Sequence, residues 1–140
     1  MHFIYFQLWC HDNFLNTRNL IYARDVRQQL LEIVNRLGLQ VNSCDGNHEQ
    51  VRKCLLAGLF QNVAELQRDN FYLTLAGRER AKIHPSSVFH GKYRPDYIIF
   101  TEIVKTERSF MRQISEVNAE WFAEVLPNYA HLNRIKTAPK

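Results

Sequence analysis

Cysteine is scarce, and Cys10, Cys44 and Cys54 form no CxxC pair. A structural zinc site needs four closely spaced ligands, and His84, His90 and His131 are not paired with these thiols, so no metal site is expected. Cys10 and His11 are adjacent on one helix and point in different directions, which suits neither a metal pair nor a thiolate–imidazole pair. All three thiols are expected to serve as small buried apolar residues. An odd number of cysteines without a secretory signal predicts reduced thiols, in the cytosol or the nucleus.

Glycine is equally sparse, with five scattered residues. A phosphate-cradling loop needs glycines before a Lys and a Ser/Thr, because backbone N–H groups must approach the phosphates without an intervening Cβ. Here Gly91-Lys92 is followed by Tyr93, and there is no GxGxxG, so no nucleotide cofactor is expected on this chain. Glu102, Glu107, Glu116, Glu120 and Glu124 read as solvated strand and helix positions, and no nucleophile stands in register with a base, so no catalytic residue is assigned. Long apolar runs are missing too. The opening MHFIYFQLWC lacks a basic n-region and falls short of the roughly 20 residues of a membrane span, so it reads as the start of a buried helix with no membrane partner.

What is present is a folding chain of 140 residues, 46% hydrophobic, with nine Phe, six Tyr and two Trp: one domain, or one domain with an appended helical piece. Eighteen Lys+Arg against 14 Asp+Glu leave a charge of +4, which permits an anionic partner without requiring one. From Asn19 to Leu37, Ala23, Val26, Leu30, Ile33, Val34 and Leu37 recur at helical spacing and Gly38 is the expected C-cap. A turn at Asn42–Asn47 precedes a second helical stripe, Val51, Cys54, Leu55 and Leu59, ending near Gly58–Phe60. Arg52 and Lys53 read as surface or interdomain residues.

The period then changes to two. A strand is expected at Asn62–Leu66, another in FYLTL, where Phe71, Leu73 and Leu75 alternate with Tyr72 and Thr74, and a third in AKIH after the turn at Gly77–Arg80. The β-rich run Tyr97–Thr106 pairs as a hairpin with Ser109–Val117. A last helix begins at the N-cap Asn118, points Trp121, Phe122, Val125 and Leu126 inward, and meets Pro127 at its end or last turn. The predicted class is α+β: helices over 1–60, a five-stranded OB-fold-like barrel over 61–130, a C-terminal helix, and a flexible tail over 131–140. Periodicity alone fits an α+β sandwich equally well.

Several stretches together resemble one family. WCHDNFLNTRNLIYARDVRQQLLEIV is similar to the helical segment before the C-terminal domain of DEAH-box RNA helicases. The likeness continues in the family's order through VRKCLLAGLFQNVAEL, IHPSSV and YIIFTEIVKTERSFMRQISEVNAEWFAEVLPNY, covering Trp9 to Tyr129. The resemblance implies a helicase-associated OB-fold joined to the end of a ratchet-like helical domain. It further implies contact with the backbone of single-stranded RNA, packing on helicase motor domains, and a surface for adaptors such as G-patch proteins. ATP and Mg belong, on this likeness, to motor domains outside this chain. Met1–Leu8 departs from the family pattern, which suggests a fragment or an unusual gene product.

Within that frame IHPSSV has two compatible readings. Pro85 ends a strand while Ser86 and Ser87 satisfy turn amides, or the strand end and its hydroxyls, with His84 beside them, face an RNA phosphate. Among aromatic residues able to stack bases, Phe71, Tyr72, Tyr93 and Tyr97, the candidates beside turns and basic residues are Tyr72 and Tyr93. Arg78, Arg80 and Lys82, with Lys92 and Arg94, bracket the IHPSSV turn as candidate phosphate contacts; Lys105, Arg108 and Arg112 flank the hairpin. The rival reading is an interaction module that docks motor domains and a G-patch-type adaptor through exposed Phe3, Tyr5, Phe6 and Trp9. An independent small enzyme has least support.

Overall fold

The computed structural model describes residues 2–135, and the chain divides after Ser43 into two units. The first holds α1 (His2–Asp12) and α2 (Thr17–Arg36). The Asn16 side chain accepts the Asn19 N–H at 3.0 Å, satisfying one of the donors that a helix start leaves open. Gly38, at φ +68°, makes the left-handed turn after α2 and donates its N–H to the Asn35 carbonyl, so the expected stop stands. The apolar stripe of α2 is present, yet none of its residues is buried, and Leu30 and Ile33 are exposed. Among the described residues no helix is long and apolar enough to cross a membrane.

The second unit opens with α3 (His48–Gly58) and a 3-10 turn (Phe60–Asn62). There follow β1 (Val63–Leu66), β2 (Tyr72–Thr74), β3 (Arg80–Ile83), β4 (Tyr97–Ile99), β5 (Glu102–Lys105), β6 (Ser109–Arg112) and β7 (Ser115–Val117). Two helices, α4 (Ala119–Val125) and α5 (Pro127–Leu132), come last. The strands form one curled mixed sheet in the order β5-β6-β3-β2-β1-β4-β7, antiparallel except for the parallel pair β3–β6.

Among the described residues seven strands replace the expected five, and the cause is a bend in the long hairpin. Tyr97–Thr106 is split into β4 and β5, and Ser109–Val117 into β6 and β7. One register runs through the break, since Ile99 faces Ser115 before it and Glu102 faces Arg112 after it. At the bend Phe100 donates its N–H to the Asn62 carbonyl at 3.1 Å, while Gln113 takes φ +50°. The hairpin therefore pairs with β1 through β4 and with β3 through β6, so both ends of the strand order belong to one ribbon. Such coiling lets a few short strands wrap around a core.

Two cores result. Ala64, Tyr72, Ala81, Ile83, Ile98, Phe100 and Met111 fill the concave side of the sheet. Val63, Tyr97, Ile99 and Val117 point the other way, to meet Leu56 of α3 and Trp121 and Phe122 of α4. β4 is thus buried on both faces, its alternate residues serving different cores.

Several local expectations need correction. Tyr72, a candidate for base stacking, is instead buried in β2 with Thr74 and the following Leu75, its hydroxyl finding a buried acceptor, while Phe71 and Leu73 are partly exposed. Leu56, not Val51 or Leu55, is the buried residue of α3, because Arg52 and Lys53 lay their cations over the Trp121 ring at 5.0 and 5.8 Å and so pack against α4. Cys10 is buried as expected, but Cys44 is half-buried and Cys54 exposed. Asn118 holds the N-cap position of α4 without a side-chain capping bond, and Pro127 opens α5 in place of ending α4. Ile135 packs on the helical core, and residues 136–140 of the expected tail lie outside the described part.

Candidate nucleic-acid interface

The register of β2 with β3, Tyr72 opposite Ala81 and Leu73 opposite Arg80, continues to set Phe71 across from Lys82. Alternation then turns Arg80 and Lys82 outward while Ala81 and Ile83 enter the core. Both cations settle on one ring: the Arg80 guanidinium lies 4.6 Å and the Lys82 ammonium 4.5 Å from the Phe71 centroid. Arg80 also pairs with Asp69 of the β1–β2 turn.

Beside this cluster is a cleft of about 340 Å³, lined by Asp69 and Asn70 of that turn, Lys82 and Ile83 of β3, and Phe89, His90, Gly91 and Arg94 of the β3–β4 loop, with Tyr72 at its floor. Arg94 ties its two sides together, donating from Nη1 to the Asn70 carbonyl at 3.0 Å. Gly91 takes φ +72°, which a side chain there would resist. Two cations against the single Asp69 carboxylate, with an imidazole beside them, leave the lining net positive, which suits a polyanion whose phosphates stay at the rim. Among the described residues no three His, Cys, Asp or Glu side chains gather as a metal site.

Of the residues singled out from the sequence, Lys82, Arg94 and Tyr72 line this cleft, and Arg80 borders it through Asp69 and Phe71. Tyr72 is corrected as a stacking platform. It is 1% exposed, with its hydroxyl donating to the Pro95 carbonyl at 2.8 Å, and no base can reach its ring. Tyr93 is exposed but lines a separate depression with Asp96, Glu116 and Glu120, and its hydroxyl donates to Glu116 at 3.2 Å. The charge of Glu116 raises the Tyr93 pKa, and the same charges disfavour a phosphate chain there. Arg78, at φ +51° in the β2–β3 turn, and Lys92 are exposed and do not line the cleft.

The IHPSSV turn is held by its own groups. His84 donates its backbone N–H to the Met111 carbonyl at 3.0 Å, and its Nδ1 accepts the Ser86 N–H at 3.1 Å, with the Ser86 hydroxyl 2.7 Å away. Ser87 Oγ accepts the Phe89 N–H at 3.3 Å. His84, Ser86 and Ser87 therefore shape the loop that carries Phe89, His90, Gly91 and Arg94 to the cleft. Asp69, Asn70, Phe89, His90 and Gly91 were missed from the sequence. The QRDN run between two strands was a turn signal for the first two.

Tyr72→Phe leaves the Pro95 carbonyl buried without its donor and is expected to cost about 1 kcal/mol. Burial pushes the Tyr72 phenol up to about 12 from an ordinary 10. A raised folded-state value means that its contribution to stability is complete below pH 10 and declines as pH climbs towards 12. Urea unfolding of the two proteins at about pH 9 and about pH 11 should show a smaller alkaline loss in the variant; equal losses would place the alkaline sensitivity elsewhere.

Comparison with known proteins agrees with this architecture. The oligonucleotide/oligosaccharide-binding (OB)-fold family model matches residues 51–129. The chain is 58% identical over 121 residues to the ATP-dependent RNA helicase DHX33 of Drosophila melanogaster, covering 86% of this chain and 17% of that protein. It is 39% identical over 131 residues to ATP-dependent RNA helicase DHX33 of Mus musculus and 37% identical over 131 residues to that of Homo sapiens, each covering 93% of this chain and 18% of the relative. The chain thus spans less than a fifth of the length of the curated relatives it matches. A curled mixed sheet backed by helices, a family match over most of the sheet unit and these likenesses lead to one assignment: the chain belongs to the helicase-associated OB-fold family of DEAH-box RNA helicases.

Proposed function

We propose that this chain is the C-terminal OB-fold domain of a DEAH-box ATP-dependent RNA helicase. It holds single-stranded RNA by the phosphate backbone and packs on motor domains carried by the rest of the polypeptide. Hydrolysis of ATP, with its Mg, is the work of those motor domains. The observation that carries the reading is the cleft rimmed by Lys82 and Arg94, with Arg80 next to it on the Phe71 ring. Contacts of this kind follow the backbone and place no strong demand on base sequence. Arg78 and Lys92, exposed nearby in sequence, extend the positive field.

The test is a fluorescence-anisotropy titration of the chain with a labelled single-stranded oligoribonucleotide between about 50 and about 200 mM salt. Affinity should fall linearly on a log–log plot, with a slope of about −0.7 per phosphate neutralised. Binding that is absent, or indifferent to salt, would overturn the reading. A second reading, docking of the motor domains and a G-patch-type adaptor, draws on exposed Ile4, Tyr5, Leu8 and Trp9 of α1. Phe6 is half-buried there, and the side chain of Phe3 lies outside the described residues. Pull-down with separately expressed motor domains separates the two: α1-dependent capture with negligible RNA affinity favours docking.

A further inference from the structure

A carboxylate within a phosphate-binding cleft opposes its ligand, and Asp69 is such a group. It lines both the basic cleft and the shallower depression formed with Gln67, Arg68, Leu73 and Arg80. Its position is set by the β1–β2 turn, where Asp69 Oδ1 accepts the Phe71 N–H at 3.3 Å and the next residue, Asn70, takes φ +65°. Its other oxygen, Oδ2, accepts from Nη2 of Arg80, whose guanidinium also lies over Phe71. Carboxylate, guanidinium and ring thus form one cluster on the outward face of β2 and β3.

A carboxylate and a phosphate offer their oxygens to a guanidinium in similar geometry. The Arg80 and Asp69 side chains remain 60% and 50% exposed, so their ion pair contributes little to the fold and is open to exchange. We propose that Asp69 is an internal substitute for an RNA phosphate on Arg80. It holds the guanidinium aligned on Phe71 while the cleft is empty, is displaced when the strand arrives, and lowers affinity so that the strand is released readily. This inference rests on the backbone-binding reading above.

Four proteins test it: wild type, Asp69→Asn, Arg80→Ala and the double variant, each titrated with the same labelled single-stranded RNA across the salt series, with melting curves to confirm folding. Asp69→Asn should bind about fivefold more tightly near 0.1 M salt, with a slope steeper by about 0.7. In the Arg80→Ala background the same substitution should change affinity by less than about twofold, because the competition it relieves is gone. An unchanged affinity and slope in Asp69→Asn would overturn the inference while leaving wild-type binding intact. An equal gain in the Arg80→Ala background would overturn it too, since the effect would then be diffuse charge. Failure of every variant to bind would remove the backbone reading and this inference together.

Discussion

Reversing two cleft cations together, Lys82→Glu with Arg94→Glu, is expected to weaken binding of single-stranded RNA by about 100-fold at about 50 mM salt and to flatten the salt slope by about 1.4. The slope change reflects two lost phosphate contacts, each releasing about 0.7 of a counterion from a single strand. The larger change in affinity reflects two charges that now repel where two attracted. Both residues line one cleft, and both sit where substitution does little harm to the core: Arg94 is exposed and Lys82 partly so. A matched reversal, Lys105→Glu with Arg112→Glu, changes the formal charge equally. Those residues lie in the β5–β6 hairpin, paired with Glu79 and Glu102. It should weaken binding by less than about fivefold at the same salt. Equal effects of the two pairs would show that net charge, and not the cleft, governs binding.

Phe122→Ala is expected to destabilise the sheet unit by about 3–5 kcal/mol. Phe122 is fully buried, with its ring edge-on to Tyr97 at 5.4 Å and stacked with Tyr129 at 6.4 Å. It therefore joins α4, α5 and the doubly buried strand β4. Removing the ring leaves a cavity between helices and sheet that the coiled strands cannot collapse to fill, because β4 is packed on its other face too. A loss of that size lowers Tm by about 15 °C or more for a unit of roughly 100 residues, measurable by calorimetry. Phe122→Leu should recover more than half of the loss, since most of the apolar volume returns. A drop in Tm below about 3 °C for Phe122→Ala would contradict this account of the core.

How much of this was legible depended on whether local pattern and global packing agreed. β3 was readable because strict alternation turned Ala81 and Ile83 inward and Arg80 and Lys82 outward. β2 is ambiguous because its side chains are amphipathic in both registers: Tyr72 carries a ring large enough to fill the interior and a hydroxyl that Pro95 can satisfy, while the apolar Phe71 and Leu73 stay partly exposed. A slip of one residue reverses every side chain, so this ambiguity moved Tyr72 from a supposed RNA platform to the core. In α3, Arg52 and Lys53 read as surface or interdomain residues, because nothing local reveals that Trp121, far along the chain, offers its face to them.

By itself the sequence determined the end of the second helix at Gly38, the long hairpin, the outward cations of β3, and family membership through motifs in a shared order. These are properties of neighbours along the chain, where capping bonds and alternating hydrophobicity act over a few residues. Only the tertiary structure decided where the hairpin bends, which ring Arg80 and Lys82 share, that Arg94 reaches Asn70, and that Tyr93 faces Glu116. Each joins residues brought close by the curling of the sheet, and that curvature is set by packing on both of its faces, which no short window of residues contains.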